Sequence, residues 1–78
     1  MAQFFYEEDL KDLADPDNST GTRPGHKLSV GAKDGFVILA TTPLTNNPDL
    51  KTTYGVLLKP SEAEKVVMAI REAIKYCK

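Results

Sequence analysis

The stretch KLSVGAKDGFVILATT, Lys27–Thr42, decides the fold of this 78-residue chain. At its centre is Asp34-Gly35. A two-residue type I′ turn needs positive φ at both central positions, and this pair tolerates it. The flanking runs, 27–33 and 36–42, then become two arms of a hairpin. The turn sets the register, and the register sets the faces. Lys33 pairs with Phe36, Ala32 with Val37, Val30 with Leu39 and Leu28 with Thr41. Leu28, Val30, Ala32, Val37 and Leu39 share one face. The other carries Ser29, Gly31 and Lys33 together with Phe36, Ile38 and Ala40.

Downstream, KTTYGVLLK (51–59) alternates as a third strand, with Tyr54, Val56 and Leu58 on one side and Leu57 on the other. The intervening PLTNNPDL (43–50) holds two prolines and two asparagines and reads as a loop. Pro60 stops the third strand. Ser61 with Glu64 forms a capping box that opens a helix over 61–76. Ala63, Val66, Val67, Ile70, Ala73, Ile74 and Cys77 recur at helical spacing and form one apolar stripe. That stripe belongs against the apolar face of the hairpin, with Cys77 inside it as a buried structural thiol.

Upstream, QFFYEEDLKDLA (3–14) places Tyr6, Leu10, Leu13 and Ala14 at helical spacing, although Phe4-Phe5-Tyr6 also suits an edge strand. The expectation is a short helix over 4–14 that covers the second, half-apolar face of the sheet. Residues 15–26, DPDNSTGTRPGH, form a flexible polar linker. The expected fold class is thus α+β: a three-stranded antiparallel sheet (27–33, 36–42, 51–59), a C-terminal helix (61–76) and a short N-terminal helix (4–14), all in one domain.

A chain this short buries only about 60% of its unfolded surface. Disulfides, metals or self-association usually prop up such domains. Cys77 is the single cysteine, so no disulfide forms within the chain, and one Cys with one His (His26) does not make a structural zinc site. Self-association is the prop that remains. The start MAQFFYEEDL lacks the features of a secretory signal, and no run approaches the ~18 apolar residues of a membrane span. The expected location is cytoplasmic, with no membrane partner.

Net charge is −1, but it is divided unevenly. Residues 1–17 carry six acids against Lys11, and residues 18–78 carry nine bases against five acids. Such a division marks a basic body beside an acidic front. A calcium loop at Asp15-Pro16-Asp17-Asn18-Ser19 fails where Thr20 replaces the turn glycine and His26 replaces the closing Glu. Gly21–Lys27 has glycines and cations but leads into a strand, and Pro24 removes an amide, so no phosphate nest forms at a helix start. His26 has no Cys or Ser near it in a nucleophile setting. The sequence therefore points to no catalytic residue, no cofactor and no metal, and to a chain that is not an enzyme.

Partner contact is the chemistry that remains. Lys27, Lys33, Lys51 and Lys59 lie at strand ends, Arg23 and His26 lie in the linker, and Phe36, Ile38 and Tyr54 are strand residues able to meet a ligand. Basic groups interleaved with aromatics are the pattern of single-strand nucleic-acid surfaces. The pI of about 5.7 argues instead for a protein partner.

Residues 27–77 carry a further pattern: a basic strand, a turn ending in Gly, an apolar strand, a loop, then YGVLLKPSEAEKVVMAI. Gly55-Val56-Leu57-Leu58 followed by Pro60, Ser61 and Glu62 resembles the single-stranded-DNA-binding transcriptional coactivator family. That family closes its sheet with a Gly-aliphatic-x-Leu strand and then enters a dimerising helix. This chain differs in having Ala40-Thr41-Thr42 in place of an Arg-Glu-Tyr step, and uncharged TTPLTNNP in place of a basic loop. The outline also suits small bacterial and phage proteins outside that family. The functional expectation is a non-catalytic interaction or regulatory module, a homodimer that binds another macromolecule. Single-stranded nucleic acid is the alternative ligand.

Overall fold

The computed structural model describes residues 2–19 and 24–77. Among these, the element order is β1 (Gln3–Leu10), β2 (His26–Lys33), β3 (Phe36–Pro43), β4 (Tyr54–Leu58) and α1 (Pro60–Lys75). The strands form one antiparallel sheet in the order β1-β2-β3-β4, and the helix lies over β3 and β4. The α+β class and the C-terminal helix match the sequence expectation. The sheet has four strands instead of three, because the N-terminal segment is a strand and not a helix.

The hairpin register is the one its turn dictates: Lys33 opposite Phe36, Ala32 opposite Val37, Val30 opposite Leu39 and Leu28 opposite Thr41. Asp34 and Gly35 have φ of 53° and 85°, as a type I′ turn requires.

β1 pairs with the outer edge of β2, from Gln3 opposite Ala32 to Leu10 opposite His26. The physical reason lies in β2. An N-terminal helix would leave the outer edge of β2, from His26 to Ala32, without ladder partners, whereas a strand pairs with it. Phe4, Phe5 and Tyr6 favour a pleated surface, and a bulge between Phe4 and Tyr6 absorbs one extra residue. Leu13, placed on the apolar stripe of the expected helix, is fully exposed.

β4 is shorter than expected and starts only at Tyr54. Its faces hold: Val56 opposite Leu39 and Leu58 opposite Val37 fall on the helix side. Pro60 does not merely stop the strand. It occupies the first helical position, where its missing N–H costs nothing. Lys59 is the N-cap, and its N–H donates to Glu62 Oε1 at 2.8 Å, so Glu62 takes the role expected of Glu64.

The two layers leave little inside. The molecule is 16 Å thin. Among the described residues the one buried apolar side chain is Ala40, at 8% exposure, and it stands on the sheet face away from the helix. Ala63, Val66, Val67 and Ile70 face Val30, Val37, Leu39 and Leu58 across a wholly apolar gap of about 120 Å³. The second half of the helical stripe meets no strand: Ile74 is 62% exposed, and Cys77 is exposed rather than buried.

Candidate interaction surfaces

The sheet has two unlike faces. On the helix face stand Tyr6, Glu8 and Leu10 of β1, Leu28 and Val30 of β2, Leu39 of β3, and Tyr54 and Val56 of β4, as their cross-strand pairings require. The helix covers the β3–β4 half. The β1–β2 half stays open, with a recess of about 360 Å³ at Leu10, Leu28 and Thr41. Tyr6 and Leu10 are exposed there.

The opposite face holds Phe4, Glu7 and Asp9 of β1, Lys27, Ser29, Gly31 and Lys33 of β2, Phe36, Ile38, Ala40 and Thr42 of β3, and Gly55 and Leu57 of β4. Three small residues, Ser29, Ala40 and Gly55, lie side by side across its middle. Beside them runs an open apolar groove of about 520 Å³ lined by Lys33, Phe36, Ile38 and Leu57. A second recess, about 290 Å³, brings Lys27 and Lys51 together at the far end of β3. The hydroxyls of Thr42 and Thr53 are 2.7 Å apart and join the two regions.

The structure therefore gathers Lys33, Phe36 and Ile38 on one groove and Lys27 with Lys51 at its far end. It separates the others. Tyr54 stands opposite Thr41 on the helix face, away from Phe36. Lys59 caps the helix. His26 belongs to β2, not to the linker, and its Nε2 lies 3.5 Å from Asp12 Oδ2. Its Nδ1 is buried with no hydrogen-bond partner among the described residues. Arg23 lies outside the described residues.

Sequence reasoning missed Glu7, which sits 3.8 Å from Lys27 Nζ and offsets its charge. It also missed Gly55 and Leu57 as walls of the groove. Both follow once 3–10 is read as a strand and the β4 alternation is carried across to β3.

Among the described residues no group of three His, Cys, Asp or Glu side chains is placed to hold a metal ion. No helix there is long and apolar enough to cross a membrane. The chain matches no family model, no curated protein and no solved structure.

Proposed function

We propose that the chain is a non-catalytic interaction module that works as a homodimer. One observation carries this reading: the apolar surface left open around α1 and β4. Ile70 is 55% exposed, Ile74 62%, Val56 54% and Leu57 62%, and Met68 and Tyr76 are exposed as well. Fully burying such side chains contributes about 1.5–3 kcal/mol each. Six of them left half out forgo several kcal/mol in sum, a scale comparable with the whole net stability of a small domain, about 5 kcal/mol at the low end. A second copy offers a matching apolar surface at no cost in extra sequence. The likeness of Gly55–Glu62 to the coactivator family, whose last helix dimerises, points the same way.

The test is thermodynamic. If folding and pairing are linked, the unfolding midpoint rises with protein concentration. A midpoint that stays fixed over a roughly hundredfold range of concentration contradicts the dimer.

A second reading concerns the ligand. The groove at Lys33, Phe36 and Ile38, with Lys27 and Lys51 at the far end of the same face, favours single-stranded nucleic acid over an acidic protein surface. Aromatic side chains such as Phe36 stack bases, and lysines neutralise phosphates. Titration with a labelled single-stranded oligonucleotide tests it. The reading requires affinity that falls as salt is raised. Absence of binding at low ionic strength removes it.

A further inference from the structure

We propose that a second copy of this chain pairs with the free edge of β4, strand to strand and antiparallel, on a two-fold axis through Val56. The inference rests on the dimer reading and specifies its geometry.

The two outer edges of the sheet are treated differently. β1 carries Glu7, Glu8 and Asp9 in sequence and has a bulge between Phe4 and Tyr6. Charges and bulges are the usual guards against edge-to-edge pairing. β4, the other edge, has neither: Tyr54-Gly55-Val56-Leu57-Leu58 contains no charge and no proline, and its pairing with β3 is regular. Its outer backbone groups form an open template, and its side chains are largely exposed.

The five residues of β4 have Val56 at their centre, so the antiparallel register of greatest overlap places Val56 opposite its own copy. Tyr54 then meets Leu58, and Gly55 meets Leu57. The fit is self-complementary. On the groove face, Leu57 of one copy stands opposite Gly55 of the other, which brings no side chain of its own to the contact. On the helix face, Val56, Tyr54 and Leu58 join one apolar patch. Just beyond the overlap Lys59 meets Thr53, so no like charges oppose. Because α1 begins directly after β4 on the same face, the two helices come to lie on either side of the axis. Their exposed apolar flanks supply further contact. A standard interface takes about 800 Å² from each partner, and one aromatic side chain contributes about 150–250 Å².

The experiment uses the whole chain with Cys77→Ser and Val56→Cys. Directly opposed residues of an antiparallel pair have Cα atoms about 4.5–5.5 Å apart, within disulfide range. Mild oxidation is expected to convert most of the chain to a covalent dimer. Glu8→Cys in the same Cys77→Ser background, on the β1 edge, is expected to stay single. Hydrogen exchange of the unsubstituted chain gives an independent reading. Residues 54–58 are expected to exchange about ten-fold or more slowly at high concentration than at high dilution. A wild-type dimer that shows no slowing in β4, and whose Val56→Cys variant forms no cross-link, overturns edge pairing and leaves the dimer reading intact. A chain that is monomeric throughout overturns both.

Discussion

The ring of Phe4 occupies the space over Gly31: a Cβ built there would stand 2.7 Å from the Phe4 ring and 2.6 Å from the Gln3 carbonyl oxygen. Replacing Gly31 with Ala pushes against β1 backbone, which cannot swing aside as a side-chain tip does. Overpacking of this kind costs about 1–3 kcal/mol. For a domain of this size, each kcal/mol lowers Tm by about 4–8 °C. Gly31→Ala is therefore expected to lower Tm and to speed hydrogen exchange selectively in residues 3–10.

Gly35 makes the opposite case. Nothing lies within 4 Å of a Cβ added there, but φ is +85°. The cost of Gly35→Ala is conformational alone, about 1–2 kcal/mol. Circular dichroism is expected to keep the wild-type spectrum while thermal melting shows a modest loss. A loss well above about 2 kcal/mol contradicts the assignment of a simple type I′ turn.

Glu62→Ala removes the acceptor for the Lys59 N–H at the start of α1. Loss of an N-terminal cap costs about 1 kcal/mol. The expected readout is a lower urea midpoint with an unchanged slope, since the surface exposed on unfolding is the same.

Glu7 and Lys27 form a partly exposed pair at 3.8 Å, worth little to stability. Its consequence is for binding. Glu7→Gln removes one of the acids beside Lys27 on the groove face, so a single-stranded oligonucleotide is expected to bind the variant more tightly at low salt. Lys33→Ala and Phe36→Ala are expected to weaken the same titration. Equal affinities across the wild type and these three variants contradict a nucleic-acid role for this face.

Much of the fold is legible in the chain wherever one local rule settles the matter. Asp34-Gly35 specifies the hairpin, and every pairing between β2 and β3 follows from it. The spacing of Ala63, Val66, Val67 and Ile70 locates the helix. Residues 3–10 mislead a local reading because Tyr6, Leu10 and Leu13 keep helical spacing, while the deciding influence, the unpaired edge of β2, is far away in sequence. Gly31 is the available hint, since a glycine inside a strand often marks close approach by another element. Pro60 is likewise readable as a helix start rather than a strand stop.

The candidate surface is legible in part, for the same reason. Lys33, Phe36 and Ile38 share a face through the hairpin register alone. Tyr54 resembles Phe36 in being an exposed strand aromatic, yet alternation along β4 sends it to the helix face. The lysines 27 and 51 meet only through the fold of the loop after β3, which strand patterns do not encode.

Leu57→Lys places a charge on the free edge of β4 at an exposed position, so the single chain tolerates it. The expected outcome is weakened self-association with the circular dichroism spectrum retained, because on the groove face the lysine replaces the apolar contact of Leu57 beside the partner strand, and a charge on an edge strand is a guard of the kind β1 already carries in its acids.

The mass of the wild-type chain in solution bears most directly on the dimer. Light scattering at micromolar concentration is predicted to give twice the 8.6 kDa chain mass. A single species at 8.6 kDa, folded and stable, contradicts it.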